Sequence, residues 1–393
     1  MDNAVSLPTI PDAEYRRRMN TAQELVRQAG LDAMLVNSNE AEFANVRYFS
    51  DYWPIFEAAG VIIPAGGEPV LLIGPESGTF ARDRSKIPRI KLMREYREPA
   101  DPEYPGLAVS GFADAFAAAG VAHPRRIGIA GYLVTTAPVL DGLKDAFPDA
   151  ELVRADDIMV RMRSVKSPNE IACLKTAFAI AEEAIGEILQ QMRPGMTELQ
   201  VVGVAQKAIY DRGAEYEGMP QYVFTGKSTT HAISRPTHRV IAKGDLVQLN
   251  ISARVAGYSS GVGRPVCMGK MGEKMRSMVE FGKLAHERTM GWMKAGVRAC
   301  DVAVKYKELF VKSGHEKNFL YGPCHGLGMI EVEPPWMEET SDYALKENMT
   351  FNVDTFLYEE GRVGCRWENG VRVTETGVEA FSSRFMEILE LSV

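Results

Sequence analysis

Proton transfer at neutral pH calls for an imidazole or a paired carboxyl, and the 393-residue chain has only six histidines to offer. His231 lies in "TGKSTTHAISRPTH", and a ring with an ordinary pKa near about 6.5 can both give and take a proton there. His238, beside Arg239 in the same basic loop, reads as solvent-exposed. His325 follows Pro323 and precedes Gly326 and Gly328, a setting that lets a ligand approach the backbone closely. Cys324 is its neighbour, but adjacent side chains in extended chain point apart, so a nucleophile and base pair is not expected.

Two further stretches carry polar residues at strand spacing. "GDLVQLNISARVAGYSSGVGRPV", residues 244–266, reads as two strands joined by a short turn. Asn250 projects from the first strand, Tyr258 offers a hydroxyl to a substrate or packs in the core, and Arg264 is expected to anchor the hairpin. Near the C-terminus, Arg366 and Glu368 stand two apart and share one face of a strand.

The elements that must position these groups fall into two sets, as the length alone suggests. In the first part, "AEYRRRMNTAQELVRQAG" has helical spacing stopped at Gly30, and "LDAMLVNS", "AGVIIPA", "EPVLLIG" and "PRRIGIAG" read as strands. Near residue 160 the pattern changes: "SPNE" (167–170) combines an N-cap serine, a proline in the first turn and a capping-box glutamate. The boundary is set at 158, with domains over 1–158 and 159–393. Within the second, "QMRPGMTELQVVGVAQKAIYDRG" aligns without gaps to "WMKAGVRACDVAVKYKELFVKSG", which lies 101 residues further on. Apolar positions match apolar positions, so two related halves are expected.

Composition removes whole classes of function. A net charge of −7 and a pI near 5.6 leave no basic surplus for a phosphate backbone, so a small molecule is the expected partner rather than nucleic acid. No apolar stretch is long enough to cross a membrane, no leader-like segment opens the chain, and a cytoplasmic protein is expected. Five cysteines, widely spaced and odd in number, suit neither a disulfide framework nor a zinc knuckle.

Taken in order, the hairpin, "HGLGMIEVEPP", "ENMTFNVDTFLY" and "RWENGVRVTETG" resemble the pita-bread fold of creatinase, prolidase, aminopeptidase P and methionine aminopeptidase. "LDAMLVNSNEAEFANVRYFSDY" and "GEPVLLIG" are similar to the creatinase-type N-terminal domain. The resemblance implies an α/β (α+β) chain: an N-terminal α/β domain followed by a pita-bread domain with pseudo-twofold halves. In the metallopeptidases of the family five residues hold two metal ions, and the matching positions here are Asn250, Gly261, His325, Asp354 and Glu368. Two carboxylates are gone, which argues against a pair of ions. A single ion on His325, Asp354 and Glu368 remains open. Glu333 falls where the family often has a catalytic glutamate, but the companion histidine is replaced by Val332.

Creatinase keeps this fold without metal, and the resemblance implies His231 as its general acid and base, although the spacing to the hairpin is two residues longer. The expectation is therefore a metal-independent, creatinase-like hydrolase cleaving a C–N bond (amidine, lactam or amide) of a small polar metabolite. His231, His325, Asp354 and Glu368 are its catalytic candidates, and no cofactor is expected. Tyr258, Glu333, Arg366 and Asn250 are candidates for holding substrate. Arg47, Tyr48 and Trp53 are expected to reach the partner's site across a homodimer. The alternatives are a mononuclear-metal lyase or Xaa-Pro-type peptidase relative, and a non-catalytic binding protein.

Overall fold

The computed structural model describes residues 7–392. Chain contacts divide these into two compact units, one spanning Ile10–Arg163 and the other running from Ser164 onward and including residues 7–9. The division lies five residues beyond the boundary read from the sequence, because the helix Asp156–Arg163 belongs to the first unit.

In the first unit a six-stranded sheet is built from β1 (Ala33–Ser38), β2 (Ala59–Pro64), β3 (Val70–Ile73), β4 (Ile90–Leu92), β5 (Arg126–Ala130) and β6 (Glu151–Arg154), in the order β4-β3-β2-β1-β5-β6. Strand β2 runs antiparallel to both neighbours and the remaining pairs are parallel. β1, β2 and β3 are buried along their whole length, which is why they read as unbroken apolar runs rather than alternating ones. Leu35, Ile62, Leu72, Phe116, Ile127 and Leu143 belong to one core cluster.

The second unit holds β7 (Tyr222–Thr225), β8 (Leu246–Ile251), β9 (Arg254–Val255), β10 (Tyr258–Ser259), β11 (Val262–Cys267), β12 (Cys324–Gly326), β13 (Glu333–Met337), β14 (Thr350–Glu359), β15 (Val363–Val373), β16 (Val378–Ala380) and β17 (Leu389–Glu390). Its main sheet runs β13-β12-β14-β15-β11-β8-β7, with β16 on β15 and β17 on β11. The expected hairpin is β8 and β11, paired from Leu246↔Cys267 to Ile251↔Val262, and it is prolonged by the small pair β9 and β10. Ala256 and Gly257 close that tip at φ 47° and 87°, the twist that suits tight hairpin turns.

The duplicated helices are present and match beyond their apolar faces. Helices Pro168–Gln191 and Glu198–Asp211 recur as Glu273–Trp292 and Ala299–Lys312. Gly195 and Gly296 both take left-handed φ, 94° and 87°, and their amides donate at 2.9 Å to the carbonyls of Ile241 and Leu345. Equivalent bridges follow, Thr197↔Val240 and Arg298↔Ala344. Ser167 and Glu170 make the reciprocal capping box expected of "SPNE", and Thr197 and Gln200 repeat it. Trp367, Phe281, Tyr306 and Phe310 share a core cluster under the second helix pair.

Candidate active site

The strand registers set a row of polar residues across the middle of the large sheet. Asn250 on β8 faces Gly263 on β11, Gly263 faces Glu368 on β15, and Glu368 faces Asp354 on β14. One strand further, His325 on β12 faces Asn352 on β14. All but the glycine bear polar side chains, and all are buried. Strands with water on neither face should not carry such residues unless each finds a partner.

The partners divide the row into two clusters. In the first, Nδ1 of His325 lies 3.1 Å from the Gly326 carbonyl. A carbonyl only accepts, so Nδ1 carries the hydrogen and, in the neutral ring, Nε2 presents its lone pair. That nitrogen faces Oε1 of Glu331 and Oε1 of Glu368, 3.8 Å from each. Asn352 donates through Nδ2 to both carboxyls, at 2.8 Å to Glu368. Asn250 also donates to Glu368, and its orientation is set by a relay: the Arg366 amide donates to Oε1 of Gln248, whose Nε2 donates to Oδ1 of Asn250. Burial pushes the Glu331 carboxyl up, and burial together with the nearby Glu331 and Asp354 charges pushes Glu368 well up. Two carboxyls so placed resist ionising together.

Asp354 belongs to the second cluster. Its Oδ1 pairs with Nε of Arg366 at 3.0 Å, and its Oδ2 accepts from the Tyr321 hydroxyl at 2.7 Å. Nη2 of Arg366 also donates to Tyr321 at 2.7 Å and to the Ala232 carbonyl at 2.8 Å. Burial works against the guanidinium charge, but Asp354 and Tyr321 outweigh it and hold Arg366 above its ordinary range. Arg366 thus takes Asp354 across the strand pair rather than Glu368 beside it.

Several expectations need correction. Asn250 cannot turn a carbonyl toward a ligand, because Gln248 uses that oxygen and the amide nitrogen faces Glu368. Asp354 does not join His325 and Glu368, since Arg366 and Tyr321 hold it. Glu333 is neutralised by Lys166 at 3.0 Å in a buried ion pair. Tyr258 does not present its hydroxyl to a substrate: it is buried and donates to Glu170 at 2.6 Å. Arg47 and Tyr48 are buried within the first unit, Arg47 lying over the Phe43 and Trp53 rings and Tyr48 donating to the Met162 carbonyl. Trp53 donates its indole N–H to the Glu40 carbonyl. His231 is exposed, with the backbone next to it tied to Arg366 through Ala232, while His238 is exposed as its basic loop led one to expect.

Other expectations stand. Arg264 does anchor the hairpin, donating to the carbonyls of Gly263 and Glu368 and to Oδ1 of Asn369. Among the described residues no cysteine is joined in a disulfide, and Cys324 is buried against Met293 with its thiol pushed up by burial.

The residue that sequence reasoning missed is Glu331, in the loop between β12 and β13. The signal was a second acid two positions before Glu333 in the same glycine-rich turn as His325. A chain that has lost two carboxylates invites a search for others nearby.

Comparison with known proteins fixes the family. Residues 172–375 match metallopeptidase family M24, and residues 18–165 match the creatinase/prolidase N-terminal domain. The chain belongs to family M24. A Xaa-Pro dipeptidase of Pyrococcus furiosus is 23% identical over 95% of this chain and 100% of its own, and an uncharacterized peptidase of Bacillus subtilis is 24% identical over the same shares. Among solved structures, an X-Pro aminopeptidase of Thermotoga maritima superposes with a TM-score of 0.81 at 23% identity, covering 94% of this chain and 99% of that one. A prolidase of Thermococcus sibiricus gives 0.83 at 22% identity, covering 96% and 99%. These likenesses establish the pita-bread architecture of the M24 member's C-terminal unit. They do not support a metal-free character, and the donor set decides only that a pair of ions does not fit. Of the five positions that the resemblance assigns to metal ligands, only His325 and Glu368 direct a donor into the cluster, which leaves the five-ligand set for two cations incomplete among the described residues.

Proposed function

We propose that this M24 member hydrolyses an amide C–N bond in a small substrate, with His325, Glu331 and Glu368 as its reacting centre. Xaa-Pro dipeptides, on which named relatives act, are the first substrate class to try. The observation that carries the reading is the buried pair of carboxyls with raised proton affinity beside an imidazole whose Nε2 faces them. Hydrolysis adds water across the C–N bond, so it needs a base for the water and an acid for the departing nitrogen. Glu331 and Glu368 share one proton for the reason that like charges a few ångströms apart do not both ionise. The protonated member supplies the leaving nitrogen, while the ionised member takes the proton that water gives up. Asn250 and Asn352 hold the carboxyl oxygens in place.

Turnover of a dipeptide panel, with and without added divalent ions, tests the reading. Glu331→Gln and Glu368→Gln should each lower kcat/KM by about 100-fold or more. No hydrolysis of any Xaa-Pro dipeptide or simple amide under either condition would overturn it.

A second reading, creatinase-like proton transfer by His231, draws support from one contact. The Ala232 carbonyl is bonded to Arg366, which puts the His231 loop at the wall of the second cluster.

A further inference from the structure

We infer that the chain holds one divalent cation on His325, Glu331 and Glu368, and that Glu331 has taken over from the hairpin the ligand position that Gly261 no longer fills. Among the described residues these are the histidine and acids whose donor atoms come within 4.8 Å of one another. The site is not the arrangement expected from the resemblance, in which Asp354 would be the third ligand, and it departs from the expectation of no cofactor.

Three observations converge. Nε2 of His325 lies 3.8 Å from Oε1 of Glu331 and from Oε1 of Glu368, too far for hydrogen bonds, and donor atoms of all three residues come within 4.8 Å of one another. Two donors 3.8 Å apart can both lie at the usual zinc distances of about 2.0–2.2 Å from one ion, so neither imidazole–carboxylate separation has to change on binding. Secondly, Oδ1 of Asn352 is buried without a hydrogen-bond partner, on the same amide that touches both carboxyls. A half-turn of that amide brings a neutral oxygen to the cluster as a fourth donor, an exchange that becomes favourable once a cation replaces the acceptors' need for N–H. Thirdly, a Cβ on Gly261 would come within 2.6 Å of Oε1 of Glu331 and 2.8 Å of Nδ2 of Asn352. The Glu331 carboxyl therefore occupies the space into which a side chain at 261 would project.

One imidazole and two carboxylates suit a borderline divalent ion such as Zn2+, Co2+ or Mn2+. The Nδ1 contact to Gly326 supplies the outer hydrogen bond that fixes a ligating histidine. An ion held by both carboxylates displaces the proton they share without it, so the proton-sharing reading describes the ion-free site; binding is read directly, so failure of the hydrolytic reading leaves this inference standing.

The test uses the full chain stripped with a chelator and dialysed against Zn2+ or Co2+, followed by elemental analysis and the visible spectrum of the Co2+ form. The expected result is one ion per chain and a four-coordinate Co2+ spectrum. Glu331→Gln should weaken binding by about 100-fold, and the double variant Gly261→Asp with Glu331→Gly should recover it to within roughly tenfold. Thermal melts establish that each variant folds. Should a variant not fold, anomalous diffraction from the wild-type Co2+ form must place the ion beside Nε2 of His325. Two ions per chain, none, an affinity unchanged by Glu331→Gln, or an ion lost with Asp354→Asn alone would each overturn the inference.

Discussion

Glu331 and Gly261 compete for one space: a Cβ at 261 would lie 2.6 Å from Oε1 and 3.1 Å from Cδ of the glutamate. The two come from different segments, the β12–β13 loop and the turn into β11, so only the folded sheet joins them. Gly261→Ala should therefore destabilise the protein by about 1–3 kcal/mol through overpacking. In a Glu331→Gly background the same change should cost about 1 kcal/mol less, the remainder coming from the 2.8 Å approach of the new Cβ to Nδ2 of Asn352. A double-mutant cycle from urea midpoints measures the difference. Equal costs in both backgrounds would mean that the space is not shared.

Asp354 and Arg366 give a second, sharper stability test. Each is buried, and Tyr321 completes the group. Removing one charge leaves the other unpaired in the interior, so Asp354→Asn should cost about 3–5 kcal/mol. Tyr321→Phe, which deletes one neutral donor, should cost about 1–2 kcal/mol. The double variant Asp354→Leu with Arg366→Leu should be less destabilised than Asp354→Asn alone. If Asp354→Asn proves neutral in denaturant titration, the ion pair is not formed in solution.

How far the sequence discloses such a site depends on the range of the interaction. Local features were legible: the capping boxes at Ser167 and Thr197 need only residues three apart, and the 101-residue repeat shows itself through Gly195 and Gly296, where left-handed backbone favours glycine. Strand identity within the β8–β11 hairpin followed from its pattern and turn. The direction of a side chain did not. Asp354 and Glu368 face each other across β14 and β15, yet the first turns to Arg366 and the second to Asn250 and Asn352. Nothing in the spacing distinguishes those outcomes, because they depend on which neighbours desolvate each carboxyl. Glu331 was hidden for the same reason, since a loop residue has no period from which to read its direction.

Burial of His286 should make stability fall in acid. Burial first, and then the Arg264 charge, push its ring down to about 3. The folded pKa lies below the unfolded value near about 6.5, so the unfolded chain binds the extra proton between the two. The contribution is complete above about pH 6.5 and is lost as pH falls, at about 1.4 kcal/mol per pH unit. His286→Gln lacks that slope. The stability gap between wild type and variant should therefore shrink by this amount per unit between pH 6 and pH 4. A gap independent of pH would show that the ring is not held neutral.

Tyr258→Phe separates packing from substrate contact at the hairpin. The hydroxyl is buried and its 2.6 Å bond goes to Glu170, at the start of a helix rather than in the carboxyl cluster. Its loss should lower stability by about 1–2 kcal/mol and leave KM for a hydrolysed dipeptide within about twofold. A rise in KM without loss of stability would return Tyr258 to the list of substrate contacts.

His231→Ala distinguishes the two hydrolytic readings. The ring is exposed, and the backbone of Ala232 in its loop accepts from Arg366. If Glu331 and Glu368 carry the proton, deleting the ring should reduce kcat by less than about tenfold, because the shared carboxyl proton is still in place. General acid and base catalysis by His231 would instead cost about 100- to 10,000-fold in kcat, with the acidic limb of the pH profile lost as well. The comparison needs Glu368→Gln measured alongside, since only a protein in which that change is severe and His231→Ala is mild has its proton transfer at the centre of the sheet.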